Sequence, residues 1–276
     1  MFLRANFLAG NERGTTVMIK SRVPFRWLHG SMAVLTVAAM GSAAAWAAPE
    51  IAGGTRVYSG HPIARSTVML QSETPAGTSL CSASILASDI ILTAAHCVTD
   101  ASDVKIIFGI SAKEAVHVAS AQKVLVPELY TQKGVFDIAL IRFSGGLPKS
   151  YRAAELLPSP RLLKANTPII VAGFGITNMK THEGAGILRM VGEKIHPKNK
   201  PGVEVVFNHA VNTSVCPGDS GGPAFLRVGT SYQLFGVASR IAVSDGPCGS
   251  LSIYTDIHDV RVMGYIKDAI KLLRKD

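Results

Sequence analysis

Three short stretches of this chain hold side chains that can do chemistry together. Leu92-Thr93-Ala94-Ala95-His96-Cys97 offers an imidazole, Asp137-Ile138-Ala139-Leu140 a carboxylate, and Cys216-Pro217-Gly218-Asp219-Ser220-Gly221-Gly222-Pro223 a hydroxyl set among glycines. A serine hydroxyl is a poor nucleophile at neutral pH until a base takes its proton, and imidazole titrates nearest that pH. Ser220 and His96 have those types. A carboxylate that accepts a hydrogen bond from the other ring nitrogen fixes the tautomer and stabilises the imidazolium, and Asp137 suits that role. Gly218, two residues before Ser220, lets backbone N–H groups turn toward one point where an oxyanion develops. One such donor is typically worth on the order of 3 kcal/mol of transition-state stabilisation. Each stretch alone has a plain structural reading: an Asp at a strand end, a His beside a structural Cys, a glycine turn. Their joint occurrence points to acyl transfer.

Those groups need a scaffold, and from Ile51 onward the chain reads as short β-prone runs separated by turn residues. Examples are Ser66–Leu70, Val104–Phe108, Ile138–Phe143, Pro168–Ala172 and Gln233–Ala238, a density of strands that predicts a sandwich or barrel. Helical spacing is clear only at the end, where Val260, Met263, Ile266, Ile270 and Leu273 recur every three or four residues. Leu157-Pro158-Ser159-Pro160 has the composition of a joint between two halves.

With 276 residues, 47% apolar and 17% charged, the chain has enough apolar mass for a large core, which excludes disorder as its main state. Its first fifty residues differ from the rest. Lys20, Arg22 and Arg26 precede an alanine-rich apolar run from Ser31 to Ala48, and Ala45-Trp46-Ala47 has the small residues of a signal-peptidase site. Residues 1–47 are expected to be a secretory signal, with Met18 as the true start, and 48–50 a short pro-segment or N-terminal extension. No second long apolar stretch follows, which excludes a multi-span membrane protein. Setting aside the five basic and two acidic residues of 1–50 leaves 23 and 17, a net +6 of the whole chain's +9. Lys194, Lys198 and Lys200 cluster without aromatic neighbours or a nucleic-acid motif, so a solvated face is the reading and no nucleic-acid partner is expected. Four cysteines in an exported chain suggest two disulfides, and spacing alone leaves three pairings open.

Over residues 51–276 the chain resembles the secreted trypsin-like serine proteases of the chymotrypsin family. The residues that carry the likeness are the long motif around Ser220, Ile51-Ala52-Gly53-Gly54, Val171-Ala172-Gly173-Phe174-Gly175, Ser252-Ile253-Tyr254-Thr255 and the terminal helix. The resemblance implies an all-β fold: two six-stranded antiparallel β-barrels with a C-terminal α-helix, joined near 157–160, and the active site in the cleft between them. It implies His96 as general base and acid, Asp137 as its orienting carboxylate, Ser220 as the acyl-forming nucleophile, and the N–H groups of Gly218 and Ser220 as the oxyanion hole. It implies the disulfides Cys81–Cys97 and Cys216–Cys248. Protein or peptide substrates, an activating protease, a monomer, and an extracellular or periplasmic location with no membrane attachment after signal cleavage follow from it. It implies no cofactor and no metal.

Activation in this family frees an N-terminal Ile whose ammonium pairs with the Asp before the nucleophile, here Ile51 and Asp219. Pro49-Glu50 precede Ile51, which disfavours tryptic self-cleavage: either another protease cuts after Glu50 or the enzyme works with a short N-terminal extension. The residue six before the nucleophile, an Asp in trypsins, is Ser214, a neutral pocket base that offers no counter-ion to Arg or Lys. Ser239 matches the residue that binds substrate backbone, Ser252 belongs to the pocket wall, and Ile241 narrows the pocket toward Ala, Val or similar P1 side chains. Two other readings compete. Gly218-Asp219-Ser220-Gly221-Gly222 also fits the nucleophile elbow of α/β-hydrolases, whose acid and histidine follow the serine, as Asp256 and His258 do here. That fold needs alternating strand–helix units, and Pro223 suits a following helix poorly. A protease-shaped binding protein without activity usually lacks a catalytic residue, and here all three positions are filled.

Overall fold

The computed structural model describes residues 52–243 and 248–275; the expected signal segment 1–47, the stretch 48–50 and Ile51 lie outside the described residues. A two-residue strand, β1 (Thr55–Arg56), leads in. Six strands follow: β2 (Thr67–Thr74), β3 (Gly77–Ala87), β4 (Ile90–Thr93), β5 (Asp103–Gly109), β6 (Ala115–Leu125) and β7 (Ala139–Phe143). They close antiparallel in the order β2-β3-β4-β7-β6-β5. A short β8 (Glu155–Leu156) leads to a second set: β9 (Pro168–Gly173), β10 (Arg189–Ile195), β11 (Glu204–Asn208), β12 (Pro223–Val228), β13 (Ser231–Val243) and β14 (Leu251–Asp256). Because β9 pairs with both β10 and β12, the ring β9-β10-β11-β14-β13-β12 also closes. Outside it, β1 pairs with β10 and β8 runs parallel to β13. Two six-stranded barrels are therefore present, and closure removes the free edges that a sheet otherwise leaves open.

Local sequence explains the strands and turns. In β10 the residues Arg189, Val191, Glu193 and Ile195 are buried while Gly192 and Lys194 are exposed, the period of two that a half-covered strand requires. Thr74 pairs with Gly77 across a two-residue turn in which Pro75 presets its own φ and the Thr74 hydroxyl donates to the Gly77 carbonyl at 2.8 Å. Pro223 opens the strand β12, not a helix, which removes the nucleophile-elbow alternative.

The chain ends in a helix running Val260–Leu273, capped at its start by the Asp259 carboxylate, which accepts from Arg261 N at 3.0 Å. Its periodicity is as expected but its phase differs at the first turn. Val262, Ile266, Ala269 and Leu273 are buried, whereas Val260 is 83% exposed, because the residue next to the cap points to solvent. The buried stripe joins one apolar cluster with Leu92 and Ile141 of the first barrel and Phe225 and Leu234 of the second. Lys123 and Arg142 of the first barrel donate to the carbonyls of Leu272 and Leu273 at 3.1 and 2.9 Å, satisfying acceptors that a helix end leaves unpaired. The disulfides pair as expected, Cys81 with Cys97 and Cys216 with Cys248, at Cα separations of 6.2 and 5.3 Å.

Candidate active site

Pairing of β4 with β7 sets Thr93 opposite Ala139. The residues just beyond those strand ends therefore emerge at the same end of the first barrel. After Thr93 the chain enters a single 3-10 turn, Ala95–Cys97, pinned to β3 by the Cys97–Cys81 bridge, and this turn carries His96. Before Ala139, Phe136 adopts φ 62° and its carbonyl accepts from Ile138 N at 2.7 Å, a tight turn with Asp137 at its apex. The Phe136 ring lies under the Arg261 guanidinium of the terminal helix, 5.5 Å from its centre.

Asp137 is buried and its carboxylate accepts three hydrogen bonds. Oδ1 accepts from His96 N at 3.1 Å, and Oδ2 from His96 Nδ1 at 2.8 Å and from Ser239 Oγ at 2.6 Å. Burial pushes its pKa up, but the hydrogen bonds and charge of His96 and the Ser239 hydroxyl outweigh burial and hold it below the ordinary carboxylate value. An ionised carboxylate only accepts, so the proton of the neutral imidazole sits on Nδ1 and the lone pair on Nε2. The His96 side chain is 34% exposed, which leaves it accessible as a base.

Ser220 comes from the second barrel, in the loop before β12. Gly218 has φ 96°, and a Cβ there would stand 2.8 Å from the Gly175 Cα, so only glycine fits. Within this loop the N–H groups of Asp219, Gly221 and Gly222 donate to the carbonyls of Cys216, Ala238 and Asp219 at 3.0, 2.8 and 2.9 Å. Those of Gly218 and Ser220 have no acceptor among the described residues. A Cβ on Gly221 would collide with the Thr93 hydroxyl, so the loop's backbone packs directly on the strand that leads to His96. Ala238, which accepts from Gly221, precedes Ser239, which donates to Asp137. One strand of the second barrel thus touches both the serine loop and the carboxylate.

Beside Ser220 lies a cavity of about 190 Å³ whose wall includes Val215, Cys216, Ser239, Ile241, Ser252 and Tyr254. Its wall carries no carboxylate among the described residues, and the Arg240 guanidinium at its rim pairs with Glu204 at 2.7 and 3.0 Å. Ser214 is fully buried one residue behind the wall, its hydroxyl donating to the Gly249 carbonyl at 2.8 Å. His209 was not legible as a site residue: its Nδ1 lies 2.8 Å from the Gly249 carbonyl and its Nε2 2.9 Å from Ser252 Oγ. The carbonyl requires the proton on Nδ1, so Nε2 accepts from Ser252, and Ser252 offers the cavity an oxygen lone pair.

Asp219 is 3% exposed, and its two oxygens accept from Gly175 N and Cys216 N at 2.8 and 2.9 Å. Burial raises its pKa to about 6 against these hydrogen bonds and the nearby Arg189 charge. Ile51 lies outside the described residues, but Ala52 is buried in a cluster with Ile176, Cys216 and Cys248, and its carbonyl accepts from Ser214 N at 2.9 Å. Cys81, His96 and Cys97 place ligand-type atoms together, yet both sulfurs are spent in the disulfide. Another residue without a sequence signal is Ser82, on β3: its N donates to the Ser220 carbonyl at 2.8 Å and its carbonyl accepts from Thr93 Oγ1 at 2.9 Å. In the sequence it is one of several hydroxyl residues around Cys81, with Thr78, Ser79 and Ser84, and nothing there singles it out.

The sequence profile described as trypsin matches residues 51–262. The chain is 30% identical over 188 residues to serine protease SP24D of Anopheles gambiae, an overlap of 62% of this chain and 65% of that protein. It is 28% identical over 183 residues to chymotrypsin-like elastase family member 1 of Canis lupus familiaris, 59% of this chain and 70% of that one. The chain thus spans just under two thirds of the length of the first of these relatives. Among solved structures, HL collagenase superposes with a TM-score of 0.66 at 22% identity, covering 79% of this chain and 97% of that one, a likeness of fold.

Proposed function

This chain belongs to the trypsin family, and from that membership we propose that it is a secreted serine endopeptidase working through a His96-Asp137-Ser220 triad. The observation that carries the reading is the His96–Asp137 hydrogen bond of 2.8 Å, which puts the imidazole proton on Nδ1 and leaves the lone pair on Nε2. In this mechanism Nε2 takes the Ser220 proton as Oγ attacks the peptide carbonyl, and Asp137 stabilises the imidazolium. The oxyanion sits between the Gly218 and Ser220 N–H groups, the two in the loop with no acceptor among the described residues. His96 then gives the proton to the leaving amine, and water releases the acyl group by the same steps in reverse roles. No metal or cofactor enters this sequence of steps.

Substrates are proteins or peptides with a small or medium apolar P1 residue. A cavity wall that carries no carboxylate among the described residues and includes Ile241 supports this. Ser239 supports the substrate backbone from the same strand. Activation frees Ile51, whose ammonium pairs with Asp219; the seat of Ala52 beside Cys216, three residues before Asp219, supports that docking. No helix among the described residues is long and apolar enough to cross a membrane, and a monomer released by signal cleavage is the form proposed.

The test is an intact mass of the secreted protein with and without a fluorophosphonate, followed by a P1-scanning peptide library on the same preparation. A single adduct absent in Ser220→Ala, with best cleavage after Ala or Val, is the expected result. No adduct on a species beginning at Ile51 overturns the enzyme reading, and best cleavage after Arg or Lys overturns the specificity.

A further inference from the structure

Ser82 touches the serine loop with both its backbone N–H and its hydroxyl. Besides the backbone contacts to Ser220 and Thr93, its Oγ donates to the Gly218 carbonyl at 2.8 Å and accepts from Phe174 N at 2.9 Å. The side chain is fully buried. Phe174 N–H can only donate, so the Ser82 hydroxyl proton is directed to Gly218.

The peptide that receives it is the one linking Gly218 to Asp219, between the two N–H groups of the proposed oxyanion hole. Its N–H end donates to Cys216 O at 3.0 Å and its C=O end accepts from Ser82, so it is gripped at both ends. Glycine at φ 96° imposes little torsional preference of its own. Without the hydroxyl, one end of that peptide is released and the directions of the Gly218 and Ser220 N–H groups are no longer fixed relative to each other.

We propose that Ser82 is a positioning residue for the oxyanion hole, locking the Gly218–Asp219 peptide from the first barrel. Its place on β3 beside Cys81, which is bonded to Cys97, puts the oxyanion donors and His96 on one covalently braced frame. The inference rests on the triad reading of Ser220 and concerns a residue that touches no substrate atom.

The experiment compares wild type, Ser82→Ala and Ser82→Gly, all beginning at Ile51, on the best library peptide. It adds affinities for a peptidyl boronic acid, which forms a tetrahedral adduct with serine, and for the corresponding peptide amide, which does not. Removing a direct oxyanion donor costs 10²–10³ in rate, so loosening the pair is expected to lower kcat about tenfold, with boronate affinity falling in step. KM and amide binding should stay within about twofold, because the ground state makes no use of the anion site. An unchanged kcat and boronate affinity in either variant overturns the proposal. Equal losses for the amide and the boronate also overturn it, since they mark a general collapse of the loop. Ser82→Gly serves where Ser82→Ala does not fold. Fluorophosphonate labelling of wild type separates the two levels: a labelled wild type with indifferent variants sinks only the role of Ser82, whereas an unlabelled one sinks the triad reading as well.

Discussion

The Glu193 carboxylate is 3% exposed on β10, with Oε2 accepting from Ala210 N at 3.1 Å and Oε1 from Thr213 Oγ1 at 2.9 Å. Burial lifts its pKa from 4.5 to about 7 despite those two hydrogen bonds. The folded state therefore holds a proton that the unfolded state has already lost between pH 4.5 and 7, and stability falls as pH rises through that window. Glu193→Gln keeps the site neutral: its carbonyl accepts from Ala210 N, and its amide donates to the Thr213 hydroxyl, which itself donates to Ala210 O at 2.9 Å. Urea unfolding at pH 5 and pH 8 should find the variant insensitive to pH here and more stable at pH 8 by up to roughly 3 kcal/mol. A variant less stable than wild type at pH 8 refutes this. At this scale the sequence was legible only where chemistry forces a pattern. His96, Asp137 and Ser220 stood out because few residue types can do their work, while Glu193, His209 and Ser82 are ordinary in sequence. What sets them apart is burial beside particular partners.

Strands and helix were legible from periodicity, and their limits came from context. The terminal helix is the sharpest case, because five apolar residues mark it as amphipathic while its buried stripe passes through Val262 rather than Val260. Ile266→Ala should cost about 2–5 kcal/mol, as deletion of a packed core side chain does. Val260→Ala should stay within about 0.5 kcal/mol, as surface changes do. Denaturant unfolding of both variants checks the phase; similar losses would refute it. The same helix supports the site at a distance, since Arg261 stacks over Phe136 in the turn that presents Asp137, while Asp259 holds the guanidinium at 2.9 Å.

On the scale of the whole molecule, the two barrels share one apolar cluster, and the site lies where they meet. In the activation proposed above, conversion of a precursor to a protein beginning at Ile51 would supply an ammonium for Asp219, a buried carboxylate whose pKa is pushed up to about 6. Losing one partner of such a buried pair costs about 3–5 kcal/mol, so a protein beginning at Ala48 should have at least about a hundredfold less peptidase activity. Undiminished activity in a protein whose mass places its start at Ala48 refutes the pairing. By itself the sequence determined the strand-rich class, the terminal helix and the candidate triad, because periodicity and the demands of nucleophilic chemistry are written in local residue types. The family likeness added the two barrels and the disulfide pairing. Only the tertiary structure decided that Ser239 reaches Asp137, that Ser214 stands behind the cavity wall, and that Ser82 grips the serine loop. The Ser239 and Ser82 contacts cross from one barrel to the other and the Ser214–Gly249 bond spans 35 residues within the second, so these hydrogen bonds exist only once the chain has folded.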